Sequence, residues 1–129
     1  MSELPDALNE IRYQIETYLD GLSIQFQGRN RKIKIDNSKP WARMSHLAIG
    51  SQSAQLGDLW IRDRGLIVVS FFFPAGQGVA ESDRITYNLR DSFSEWRYNY
   101  LELGVGEVQE VPTTEDFYHV NVTLPYRHK

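Results

Sequence analysis

The chain has 129 residues, of which 41% are apolar and which include three Trp, six Phe and seven Tyr, enough large side chains for one hydrophobic core at a length that suits one domain rather than two. Its 17 acidic and 14 basic side chains give a net charge of −3 without a basic tail, so nothing advertises general nucleic-acid binding. The absence of cysteine excludes disulfides, zinc thiolates and thiol catalysis, and no apolar run reaches the roughly 18 residues of a membrane helix. The first six residues, Met1 to Asp6, are acidic where a signal peptide is basic, which reads as a soluble intracellular product with no membrane partner.

Along the chain, Leu8, Ile11, Ile15, Tyr18 and Leu22 fall on one helical stripe, Pro5 and Asp6 suit its first turn, and Gly21 is expected at its end. Ser23 to Gln27 and Lys32 to Asp36 read as two arms of a hairpin around Gly28-Arg29-Asn30-Arg31. Trp41 to Ile49 reads as extended and Gly50-Ser51-Gln52-Ser53 as a surface loop. A strand starts near Leu59, and Gly65 to Phe73 is so continuously apolar that it predicts a central strand covered on both faces. Pro74-Ala75-Gly76-Gln77-Gly78 stops it, and Ile85, Leu89, Phe93 and Trp96 mark a second helix. Tyr98 to Val111 contains a strand broken by Gly104 and Gly106, and Tyr118, Val120, Val122 and Leu124 alternate with polar residues in a closing half-buried strand. The fold expected is α+β: a single domain over residues 1–129, with a mixed, mostly antiparallel sheet of about five strands and two flanking helices on one face.

Candidate sites are few. Pro74 to Gly78 lies where a helix N-terminus can hold a phosphate, but it lacks the Lys-Ser/Thr of a Walker loop and the spacing of a dinucleotide fingerprint, and reads as a strand-to-helix turn. His46, His119 and His128 are too dispersed for a zinc enzyme, and no serine sits in a nucleophile elbow, so neither metal, cofactor nor catalysis is expected. Arg29-Asn30-Arg31-Lys32-Ile33-Lys34 is the one basic cluster, open to a phosphate backbone, an acidic partner or plain solvation. Arg62-Asp63-Arg64, expected just before the central strand, suits a subunit contact or an exposed turn.

The segments Pro40-Trp41-Ala42-Arg43, Arg64 to Val69, Phe73 to Gly78 and Phe117 to Arg127 (Phe-Tyr-His-Val-Asn-Val-Thr-Leu-Pro-Tyr-Arg) together resemble the tail terminator family of long-tailed bacteriophages, in order and in spacing. Each piece alone is ordinary strand and turn chemistry; the specificity lies in their combination, which spans most of the chain. The stretch Gln27 to Lys39 departs from the family pattern in being more basic and less proline-rich. The resemblance implies a virion protein, assembled in the host cytoplasm, that forms a six-membered ring at the head-proximal end of the tail. It further implies that the ring binds the last ring of tail tube protein, stops polymerisation, offers its other side to head-completion or connector proteins, and lets DNA pass without specific binding. No cofactor is implied. Ring closure needs two different patches per subunit, and the residues expected to supply subunit or tube contacts are Arg29, Arg31 and Lys34, then Arg62, Asp63 and Arg64, then His119 and Asn121 on the polar face of the last strand. The alternatives are a different head–tail joining or tail-completion protein, a nucleotide-binding protein using the Pro74 loop, and a nucleic-acid module using the basic cluster.

Overall fold

The structure is a computed structural model that describes residues 4–27, 38–53, 61–74, 80–112 and 117–128, with backbone alone at 50–53 and 61–62. The elements run α1 (Leu4–Asp20), β1 (Gln25–Gln27), β2 (Trp41–Ser53), β3 (Ile61–Pro74), α2 (Ala80–Phe93), β4 (Arg97–Tyr98), β5 (Leu101–Leu103), β6 (Glu107–Val111) and β7 (Phe117–His128). One sheet takes all seven strands in the order β1-β2-β3-β7-β5-β4, with β6 pairing β7 beyond β5. Among the described residues only β1 pairs in parallel, with β2; the other pairings are antiparallel. The α+β class and the two helices are as expected. Seven strands replace about five because the Arg97 to Val111 region divides into three short strands, first at a turn with Asn99 at φ 51° and then at Gly104 and Gly106.

Helix α1 buries Ala7, Leu8, Ile11, Ile15 and Leu19. Leu22, expected on that stripe, is instead 44% exposed, because the helix has already ended. Gly21 N–H still donates to Thr17 O at 3.2 Å, while Ser23 N–H donates to Asp20 O and Ile24 N–H to Leu19 O, both at 3.0 Å. That pair of bonds is a Schellman closure with Ser23, at φ 58°, as its left-handed residue, not Gly21. The first arm of the expected hairpin is strand β1, but it lies beside β2 in parallel; the turn at Gly28 to Arg31 and the arm at Lys32 to Asp36 lie outside the described residues.

Strands β2, β3 and β7 form the centre. The Gly50 to Ser53 stretch, expected as a loop, continues β2: after a one-residue bulge at Ile49, Gly50 pairs with Arg64 and Ser53 with Ile61. Polar sequence is no obstacle there, because the backbone partners come from β3. On one face Ile67, Val69, Phe71 and Phe73 of β3 stand beside Val120, Val122, Leu124 and Tyr126 of β7 and Ala42 and Met44 of β2, all buried. Both helices add to this single core, α2 through Leu89 and Phe93, and the helices meet where Tyr18 packs edge-on against Phe93 at 6.3 Å. The opposite face of β3 was expected to be covered too. Among the described residues no helix lies over it, and Leu66, Val68 and Phe72 are only half-buried.

Two interior irregularities have steric reasons. A Cβ at Gly65 would strike the Leu47 carbonyl oxygen and come within 2.7 Å of the Tyr126 ring, which lies across it to hydrogen bond with His46. Pro125, in an interior strand, faces the gap between β5 and β6, where its carbonyl accepts from Gly104 N–H at 2.8 Å. The amide it lacks would point into the same gap, so no ladder bond is lost.

Two stability outcomes follow from these backbones. Ser23→Gly removes the left-handed penalty and is expected to raise thermal stability by up to about 1 kcal/mol. Gly65→Ala is expected to cost about 1–3 kcal/mol through overpacking. Calorimetric melts of the two variants beside the parent check both signs.

Candidate functional site

The sheet face that no described helix covers is ordered into cross-strand rows, because each strand contributes every second residue to it. The first row joins Trp41, Phe72 and His119, with Val111 at its edge. Phe72 is stacked between Trp41 at 4.1 Å and His119 at 4.3 Å, Phe117 meets it edge-on at 6.4 Å, and the Arg43 guanidinium lies 5.4 Å from its centroid. Trp41 Nε1 is buried and has no hydrogen-bond partner among the described residues. The next row carries Arg43, Ser70, Asn121 and Gln109; the third Ser45, Val68, Thr123 and Glu107; the fourth Leu47, Leu66 and Pro125.

The last row is charged. Arg64, Arg127, Glu102 and Arg97 stand in register on β3, β7, β5 and β4. Glu102 holds both of its neighbours: Arg127 donates through Nε at 2.9 Å and through its terminal nitrogen at 2.7 Å, and Arg97 donates at 2.5 Å. Hydrogen bonds from Arg97 and then Arg127 hold the Glu102 carboxyl below its ordinary pKa of 4.5. Arg64 is exposed, and no carboxylate among the described residues pairs with it.

The expected contact residues are distributed rather than gathered. His119 and Asn121 share this face as expected, with His119 Nε2 donating to Asn121 Oδ1 at 3.0 Å. Burial pushes the His119 pKa down, opposed by that hydrogen bond and reinforced by Arg43. Arg64 is on the same face at the other end of the sheet: eight residues of β7 separate the His119 and Arg127 rows, about 26 Å at strand rise. Asp63 pairs in register with His128, on the core side. Arg62 pairs with Gln52, so the three charged residues lie inside β3 and not before it. Arg29, Arg31 and Lys34, with the rest of the basic cluster, lie outside the described residues. The sequence reading missed Arg43, Arg97 and Arg127 as contact residues; strand alternation put Arg127 on the polar side of β7, but only the sheet order brings Arg97, Glu102 and Arg127 into line with Arg64 and sets Arg43 in the separate row of Ser70 and Asn121.

Among the described residues the titratable side chains are dispersed. The histidines occupy three separate places, His46 against Tyr126, His128 against Tyr100 at 6.5 Å, and His119 in the aromatic row. Among the described residues no group of His, Asp and Glu is placed to hold a metal. Residues 75–79 lie outside the described residues, but helix α2, which begins at Ala80, opens with Glu81 and Asp83. Those carboxylates already complement the helix dipole and oppose a second anion. The adjoining cleft of about 250 Å³ is lined by Leu22, Ile24, Phe73, Ile85 and the carboxylate of Glu81. No described helix is long and apolar enough to cross a membrane.

The lowered Glu102 pKa fixes a pH dependence. The stability it contributes is complete above its ordinary value of 4.5 and is lost as pH falls through the lowered folded-state value. Glu102→Gln is expected to cost about 0.2–1 kcal/mol at pH 7, the range of a partly exposed pair. Melts of parent and variant should converge in acid well below pH 4.5; a gap that persists there would show that the loss is not electrostatic.

Comparison with known proteins bears on the fold and on the family. A solved structure superposes with a TM-score of 0.67 at 16% identity, covering 95% of each chain, which shows that the fold is shared. No curated protein sequence matches the chain. The family model for the phage tail terminator protein matches residues 6–126, from α1 to the last strand. The chain therefore belongs to the phage tail terminator family, a family of structural proteins of bacteriophage tail assembly.

Proposed function

We propose that this protein, acting as a single domain over residues 1–129, closes the head-proximal end of a phage tail as a ring of six copies. The ring stops addition of tube protein and presents its other side to head-completion or connector proteins. The observation that carries the reading is the family match over residues 6–126, which extends through all the described elements. The uncovered sheet face supports it. Its aromatic and arginine rows are of the composition enriched at protein contacts. No catalytic role is assigned, in keeping with the structural character of the family. In this reading DNA passes through the ring without specific binding; the net charge of −3 is too small to oppose or favour its passage.

Tail tubes polymerised with and without the protein, imaged in negative stain, test this directly. Shorter tubes ending in an added ring are expected. Tubes that lengthen unchecked, with no ring at either end, would remove the capping role and leave the fold.

A further inference from the structure

We propose that the charged end of the open sheet face receives the outer line of helix α1 from a second copy of the chain, so that α1 of each subunit docks on the sheet of the next. The inference rests on the ring reading above and adds the two surfaces that would build it. In α1 the residues at steps of seven, Asp6, Tyr13 and Asp20, share one line opposite the buried stripe, and all three are exposed. Tyr13 at its centre is 57% exposed, an amphipathic aromatic flanked by two carboxylates. Over its full length α1 carries four acids, Asp6, Glu10, Glu16 and Asp20, against one base, Arg12.

The sheet row offers the complement, three arginines against Glu102, with Arg64 unpaired among the described residues. Beside that row, Leu47 and Ile49 are 59% and 55% exposed, an apolar shelf continued by Leu66 and Pro125 on which an aromatic ring can lie. Arg64 to Arg97 spans three strand spacings, about 14 Å, and fits within the line from Asp6 to Asp20, about 21 Å along the helix with Tyr13 midway.

The two surfaces lie on opposite layers of the molecule, the bare sheet and the back of the helices. One copy therefore cannot satisfy both with the same neighbour by two-fold symmetry. The contact is head-to-tail, and it ends in a closed ring when the rotation per copy divides a full turn.

The test uses the full chain and two charge-reversed forms. In the first, Arg64→Glu and Arg97→Glu invert the sheet row while leaving the Arg127–Glu102 pair in place. In the second, Asp6→Lys and Asp20→Lys invert the helix line. Each form should fold by circular dichroism yet self-associate at least about tenfold more weakly than the parent, by native mass spectrometry alone and by ring formation on tail tubes, because like charges then face each other. An equimolar mixture should recover rings, since each contact in an alternating ring again joins opposite signs. Should either reversal melt early, Tyr13→Ala and Leu47→Asp, both at exposed positions, test the same surfaces with the same expected loss. Parent rings that persist in the reversed forms, or a mixture of folded forms that stays monomeric, would overturn the docking and leave the ring intact. A parent that makes no ring, alone or on tubes, would remove the ring reading and this contact with it.

Discussion

The register of β3 against β7, from Asp63 opposite His128 to Pro74 opposite Phe117, is the constraint on which both surfaces of this protein depend. Side chains alternate along a strand, so a slip of one residue would turn Ile67, Val69 and Phe71 to solvent and Leu66, Val68 and Phe72 to the helices. Gly65 opposite Tyr126 marks that register sterically. The tyrosine ring needs the space a side chain at 65 would fill, and its hydroxyl reaches across β3 to His46 on β2. Three strands are thereby fixed in one alignment, and the short strands β5 and β6 add to the free edge of β7 on either side of Pro125.

With the register fixed, the molecule divides into a sealed layer and an open one. The sealed layer holds one apolar core shared by two helices, and within it Thr86 donates its hydroxyl proton to the carbonyls of Ser82 and Asp83. The open layer carries the aromatic row at one end and the arginine row at the other, about 26 Å apart at strand rise. A reaction needs its groups within hydrogen-bond reach, whereas recognition between proteins uses area. The separation of these rows suits a protein that contacts other tail components, as membership of a tail-assembly family implies.

Much of the fold was legible in the sequence because helix and strand periods are local. The stripes of α1 and α2, the apolar run of β3 and the clean alternation of β7 each follow from nearest neighbours along the chain. The errors came where a tertiary partner overrode local composition. Gly50 to Ser53 is loop-like in residues but has β3 as its hydrogen-bond partner. Leu22 fits the helical stripe, but the left-handed turn at Ser23 ended the helix first. The continuous apolar run of β3 predicted two covered faces, whereas its second face is filled by cross-strand stacking of Phe72 with Trp41 and His119.

The candidate surface was legible only in part. His119, Asn121 and Arg64 could be picked out by type and by position on a strand. Arg43, Arg97 and Arg127 could not, since they come from three strands of different sequence separation. The sequence by itself determined the class, the two amphipathic helices, the long strands and, through motifs spread over most of the chain, the family, because all of these are written in residue order and spacing. The tertiary structure alone decided that β1 joins in parallel, that β5 and β6 share β7, and that four charged residues from four strands form one row. Strand order and register are set by contacts between distant segments, and no period along the chain records them.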